Sequence, residues 1–204
     1  WFSAGHRIIA AVAYENLTPT VKSEIDDLTR TMFYAKNGES RFLQSSTWAD
    51  KIKAEDVSAF NAWHYIDLPD IQNTISPPLL NPENVAWAVR KSIPVLTSYK
   101  ANETEKILFL NFLVHFVGDA HQPMHCIARY NSAFPQGDRG GNLVFISYPN
   151  ITNLHAFWDS VGGLFPNTLR IRNRQVEKIA RQMEDEYPKN YFANKIHDQD
   201  PWHW

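Results

Sequence analysis

Hydrophobic positions recur along most of the chain at intervals of three and four, the period of helices that bury one face. Ile8, Ile9, Val12 and Ala13 mark a first helix that ends near Leu17. Thr18-Pro19 reads as an N-cap with proline at the first helical position, opening a second helix through Ile25 and Leu28. Ser40 caps a third helix, which carries Trp48, Ala49 and Asp50. Residues 67–84 hold Pro69, Pro77, Pro78 and Pro82 and are expected to form a loop. A fourth helix follows to about Tyr99, kinked at Pro94. The clearest helix starts at Asn102, places Glu103 and Glu105 where they complement the macrodipole, and passes Leu113 and Phe116 before breaking near Pro123. Residues 129–142 read as a loop, and 143–148 give the one persuasive strand signal, an arm of a small hairpin. A short helix from Asn153 ends at Gly162-Gly163, and a last amphipathic one runs from about Leu169 to Tyr187. The pattern predicts an all-α, single-domain helical bundle over residues 1–204, with long loops and at most one small β-hairpin.

Composition narrows the function. Hydrophobic residues at 44% and charged residues at 21% are ordinary globular values, which excludes collagen-like, coiled-coil and disordered chains. The longest apolar run, residues 107–118, is interrupted by Asn111 and His115 and falls short of the roughly 18 residues a membrane span needs, so no stable membrane association is expected. A formal net charge of −2 leaves no general basic field to grip duplex DNA. Phosphate chemistry here must draw positive charge from a few residues or from bound metal. The single cysteine, Cys126, permits no intrachain disulfide and no cysteine-type zinc site, and reads as a small packed hydrophobe. A chain opening at Trp1 rather than Met reads as processed by removal of a signal peptide, which predicts a secreted or periplasmic protein. Sequons at Asn16, Asn102 and Asn150 fit secretion from a eukaryote.

The candidate chemistry lies in histidine and aspartate. Two segments read His-x-x-x-Asp: His115 with Asp119, and His155 with Asp159. On a helix such pairs share a face with Cβ atoms about 5–6 Å apart, close enough to hold one metal. His115 and Asp119 sit in a strongly apolar helix, where an ionised carboxylate is costly unless paired or metal-bound. His121 and His125 continue the run, while His6, Asp50 and His64 lie beside aromatic or small apolar residues. A shared cation cluster would satisfy these groups together, and His with Asp and no Cys suits catalytic zinc.

The order of motifs resembles the three-zinc single-strand-specific nucleases and 3′-nucleotidases, the mung-bean-type and fungal enzymes that share a fold with bacterial phospholipase C. The matching pieces are Trp1 with GHRIIA (5–10), TWAD (47–50), WHYID (63–67), FLVHFVGDAHQPMH (112–125), GDRGGN (137–142) and NLHAFWD (153–159). They span nearly the whole chain. The resemblance implies three zinc ions: one on Asp50, His64, His115 and Asp119; one on His125, His155 and Asp159; one on His6, the other oxygen of Asp119, and the α-amine and carbonyl of Trp1. Three divalent cations against three carboxylates would leave a positive pocket that attracts a phosphodiester. It further implies endonucleolytic hydrolysis of single-stranded DNA and RNA to 5′-phosphate products, with 3′-nucleotidase activity on nucleotides, in a monomer.

Asp50, Asp119 and Lys53 are the expected catalytic residues, Lys53 at the position where the family keeps a cation near the scissile phosphate. Tyr65 and Asp67 fall where the family stacks a nucleobase and bonds its edge, which would explain preference for unpaired bases. Asn142 matches the family's loop beside the metals. Trp48, Trp63 and Trp158 adjoin proposed ligands and read as walls. His121 points to another helix face; His197 and His203 lie in a polar tail. Many eukaryotic members carry disulfides, so this chain reads as bacterial or divergent. The family continues some tens of residues past residues 201–204, so the usual C-terminal helices are expected to be missing. Two alternatives remain: a zinc phospholipase C on the same fold, and a zinc-binding protein without turnover.

Overall fold

The computed structural model describes residues 1–32, 40–72, 76–192 and 200–204. Among them the helices are α1 (Ser3–Glu15), α2 (Pro19–Thr29), α3 (Arg41–Ala54), α4 (Val85–Thr97), α5 (Glu103–Ala120), the single turn α6 (Pro123–Cys126), α7 (Leu154–Asp159) and α8 (Asn173–Glu186). A 3-10 turn covers Asn61–His64. The mostly helical class is as the periodicity predicts.

The expected caps hold these elements. Thr18 accepts from the amide of Val21, and Ser40 accepts from that of Leu43. Asn102 accepts from the amide of Glu105 at 3.0 Å while the Glu105 carboxylate takes the Asn102 amide at 2.9 Å, a reciprocal capping box. Helix α4 continues through Pro94 to Thr97.

Helix α5 is the axis of the molecule, with α1, α3 and α4 packed around it. Its residues Phe112, His115, Phe116 and Asp119 repeat at intervals of three and four, and all are fully or almost fully buried. Phe112 and Phe116 stack with centroids 5.3 Å apart, and Trp63 meets Phe112 edge-on at 5.1 Å. This cluster, completed by Ala49, Val85, Ala88 and Val89, forms the floor beneath the histidines. A second cluster of Ile8, Ala11, Phe42, Leu43, Leu110, Val176 and Ala180 joins α1 and α3 to α8. Truncating Phe112 to Ala should therefore cost about 3–5 kcal/mol. Urea unfolding of the metal-free variant checks this; a loss below about 1 kcal/mol would mean that the ring is not structural.

Four expectations are corrected. The stretch 67–84 is not all loop: β1 (Leu68–Ile71) pairs in parallel with β2 (Ile127–Tyr130), which itself overlaps the expected 129–142 loop. Both strands of a two-stranded sheet are edges, which is why Pro69 is tolerated. Four residues are also too few to show a period of two. The predicted hairpin is present as β3 (Phe145–Tyr148) against β4 (Ile151–Asn153), antiparallel with an irregular register. Helix α7 stops at Asp159, before the left-handed Gly162 and Gly163, and α8 starts at Asn173, four residues later than Leu169.

Candidate metal centre and active-site cleft

Six elements bring their polar side chains into one linked cluster. Helix α1 supplies His6, α3 Asp50, the 3-10 turn His64, α5 His115 and Asp119, α6 His125, and α7 His155 and Asp159. The N-terminal segment adds Trp1, fastened by a bond from the Phe2 amide to the carbonyl of Asp159 at 3.0 Å.

Asp119 is the hub. Its Oδ2 lies 3.0 Å from both His64 Nδ1 and His115 Nε2. Its Oδ1 lies 3.2 Å from the Trp1 amine and 3.2 Å from His6 Nε2. Asp50 Oδ1 stands 3.7 Å from His64 Nδ1 and from His115 Nε2. Beyond Oδ1, the Trp1 amine is 3.3 Å from Asp159 Oδ1, which in turn is 3.4 Å from His125 Nε2; Asp159 Oδ2 is 3.5 Å from His155 Nε2. Ligands on a tetrahedral zinc with bonds of about 2.0–2.1 Å stand roughly 3.3 Å apart. Donor spacings of 3.0 to 3.7 Å are therefore of the right size to share cations. His6 adds a second sign of fit: both its ring nitrogens are buried and hydrogen-bond to nothing among the described residues, the Asp119 approach lacking hydrogen-bond geometry. His6, Asp50 and His115 also offer atoms within 4.8 Å of one another, so the groups merge instead of standing apart.

Backbone carbonyls fix which nitrogen faces inward. His115 Nδ1–H donates to the Ser46 carbonyl at 2.7 Å, His125 Nδ1–H to that of His64 at 2.8 Å, and His155 Nδ1–H to that of Gly140 at 2.8 Å. Each leaves its Nε2 lone pair turned toward the carboxylates, the arrangement that orients histidine ligands. Two glycines make the close approaches possible. A Cβ on Gly140 would sit 2.1 Å from the Met124 carbonyl, and one on Gly118 would press His6 Nδ1 at 3.0 Å.

The titrations follow from this crowding. Burial, with His115 alongside, pushes His6 down to about 3. Burial also lowers His64 and His155. For His115, burial opposes the charge, but Asp119 outweighs it and the pKa rises. Burial alone would raise Asp119 and Asp159, yet the surrounding cationic groups hold both carboxyls well below the usual range. The Trp1 amine is raised because the carboxylates outweigh its burial.

A pH profile of the metal-free protein follows. Between about pH 6.5 and 3 the unfolded chain binds a proton that folded His6 refuses, and the lowered His64 and His155 add losses of the same sign, so stability falls as pH drops below about 6.5. Asp119 and Asp159 add a further loss below about pH 4. His115 and the Trp1 amine act oppositely, giving up their contribution as pH rises through their raised values. Thermal melts in chelator should peak between about pH 6.5 and 8 and fall on the acid side. A melting temperature that stays constant from about pH 8 to 5 would contradict this linkage.

Above the cluster opens a cleft of about 510 Å³, walled by Lys53, His64, Tyr65, Asp67, Met124, His125, Arg139, Asn142 and His155. All four residues expected to meet substrate, Lys53, Tyr65, Asp67 and Asn142, are in that wall. Burial and Asp138 raise the Asp67 carboxyl; burial and Asp67 raise the Tyr65 phenol. A larger cavity of about 880 Å³ opens between α1, α3 and the start of α8, but none of the convergent ligands lines it.

Sequence reasoning missed three groups here. Gln122 is fully buried and donates to Asp159 Oδ1 at 2.8 Å, orienting that carboxylate. Met124 and Arg139 line the cleft. Nothing in residue spacing singles them out, since their roles arise from loop geometry. Trp48 and Trp63 are partly buried, both against Phe112, whereas Trp158 is 39% exposed. His121 is exposed and bonds the Val117 carbonyl, Cys126 is half-buried with its thiol on the Ala120 carbonyl, and His203 is exposed. His197 lies outside the described residues.

Known proteins are similar to this chain in sequence. The chain is 30% identical over 175 residues to Endonuclease 2 of Arabidopsis thaliana, covering 78% of this chain and 55% of the relative. It is 26% identical over 171 residues both to Nuclease S1 of Aspergillus oryzae and to Nuclease P1 of Penicillium citrinum, again covering 78% of this chain and 53% and 57% of theirs. The chain thus spans a little over half the length of these relatives. A model of the S1/P1 nuclease family matches residues 1–203, and with it the chain belongs to the S1/P1 nuclease family.

Proposed function

We propose that this chain carries a zinc-dependent endonuclease centre that hydrolyses single-stranded DNA and RNA to 5′-phosphate products and also removes 3′-phosphates from nucleotides. One observation carries the reading: Asp119 presents its two oxygens to two different sets of nitrogen donors, directly behind His64 and His125 in the wall of a cleft also lined by a lysine, a tyrosine and polar side chains. Two of the three ligand sets would meet at this carboxylate, His64, His115 and Asp50 on one side and His6 with the Trp1 amine on the other; His125, His155 and Asp159 form the third. Zinc bound there supplies Lewis acidity, lowering the pKa of water toward neutrality and neutralising phosphoryl charge.

The protein's own groups do the rest. Lys53 places an ammonium against charge on the non-bridging oxygens. Tyr65, 40% exposed, offers a π-face to an unpaired base, and Asp67 beside it meets the base edge. A base held in a duplex cannot reach that platform, which accounts for single-strand preference. Water adds to phosphorus as the P–O3′ bond breaks; one proton of that water ends on the 3′-oxygen, leaving a 5′-phosphate and a 3′-hydroxyl.

The test compares heat-denatured DNA, duplex DNA and lecithin vesicles, with and without chelator. Chelator-sensitive digestion of the denatured strand alone supports the reading; lecithin hydrolysis alone would make this a phospholipase, and zinc binding without turnover a storage protein. Tyr65→Ala should raise KM for a single strand by the roughly 5- to 150-fold that about 1–3 kcal/mol of stacking represents. Hydrolysis of a small activated phosphodiester should stay near the wild-type rate. Equal losses on both would place Tyr65 in support of the metals.

A further inference from the structure

We infer that the Arg139 guanidinium anchors a phosphate of the bound strand adjacent to the one being cleaved, and so sets how far the site prefers an oligonucleotide over a lone phosphodiester. This rests on the nuclease reading above and extends it to a residue that reading does not use.

Arg139 adopts φ 56°, in the left-handed region that a side chain disfavours. Its neighbours Gly140 and Gly141, at φ 58° and 77°, bear no such penalty. The surrounding loop dictates the conformation. Asp138 is buried, its carboxylate accepts the Arg129 amide at 3.0 Å, and its own amide donates to the Arg129 carbonyl at 3.0 Å. The carbonyl of Arg139 accepts from Asn142 Nδ2 at 2.8 Å, and that of Gly140 holds His155. Glycine would fit position 139 with less strain, yet the residue there is the one with a planar, bidentate donor.

That guanidinium is exposed, lines the cleft beside Asn142 and His155, and has no hydrogen bond or ion pair among the described residues. Strain kept at a cleft, together with an unpartnered phosphate-matching fork, points to a ligand contact. The carboxylates and histidines of the floor are mostly buried, whereas Arg139 stands at the rim. Its place at the rim suits a phosphate leaving the site, while the bond that breaks lies over the floor.

The test uses the zinc-loaded wild type, Arg139→Gly and Arg139→Lys. The substrates are a ten-nucleotide single strand and a dinucleoside monophosphate, and equilibrium binding is read with a hydrolysis-resistant phosphorothioate strand. For Arg139→Gly, KM and Kd for the strands should rise by about 10-fold or more, the loss expected for a hydrogen bond to a charged group. Its kcat should stay within two-fold, its melting temperature should equal or exceed that of the wild type, and the dinucleoside monophosphate should lose less. Arg139→Lys, a point charge without the fork, should recover part of the binding. A fall in kcat at constant KM, equal losses on both substrates, unchanged strand binding, or a lowered melting temperature in Arg139→Gly would each overturn the assignment. If the wild type cleaves no strand at all, the nuclease reading fails by itself, and phosphorothioate binding still decides the role of Arg139.

Discussion

Replacing Asp119 with Asn should remove more than one zinc ion per chain and nearly abolish hydrolysis. The side chain is fully buried, and each of its oxygens serves a different group of donors: His64 and His115 on one, His6 and the Trp1 amine on the other. Asparagine keeps the shape but offers one neutral oxygen and, on the other side, an amide that donates. Each set of nitrogens would then lose its nearest carboxylate oxygen, keeping only Asp50 on one side and Asp159 on the other, so each of two bound cations would lose a ligand through one substitution. Turnover should fall by at least the ~10²–10³-fold that a single preorganised electrostatic group is worth. Elemental analysis and single-strand digestion of the variant check this. Full zinc content with wild-type turnover would show that Asp119 bridges nothing.

The second large effect concerns the Trp1 amine. In the structure it lies 3.2 Å from Asp119 and 3.3 Å from Asp159, while the Trp1 indole donates to the Gly118 carbonyl at 2.7 Å. The residue is thus pinned against α5 with its nitrogen inside the cluster. If that nitrogen coordinates zinc it must first surrender a proton that the two carboxylates favour, so affinity at this position should fall as pH drops. An extra residue preceding Trp1 converts the amine to an amide, which has no lone pair to give, and crowds the same space. A form extended by one methionine should fold and keep the zinc on Asp50, His64, His115 and Asp119. It should lose the zinc shared by His6 and Asp119, and most of its activity with it. Comparing this form with one that opens on a free Trp1 amine, by zinc stoichiometry and digestion rate, checks the prediction. Equal values in the two would remove Trp1 from the ligand set.

Much of the site is legible in the chain because helices convert spacing into geometry. His115 with Asp119 and His155 with Asp159 lie one turn apart on α5 and α7, and each pair does converge on its neighbours. Caps at Thr18, Ser40 and Asn102 mark helix starts correctly because each is a local bond between a side chain and the third amide beyond. The meeting of His6, Asp50 and His64 with α5 is a different matter. They come from three elements scattered over the first third of the chain, so no spacing groups them; their apolar settings suggest a shared cluster, and only the family resemblance assigns each its partners. The β1–β2 pair is illegible because its partners lie some sixty positions apart and one contains proline. Gln122 and Arg139 escape notice because what marks them, a bond to a carboxylate and a backbone angle, exists only once the loops are folded.

The most direct test of the proposed shared-carboxylate zinc centre is anomalous diffraction at the zinc edge from crystals grown with zinc. Three peaks are expected: one between Asp50, His64, His115 and Asp119, one between His125, His155 and Asp159, and one between His6, the Trp1 amine and the second oxygen of Asp119. Peaks that leave Asp119 touching one cation or none, or a cleft floor without zinc while the protein still digests single strands, would contradict it.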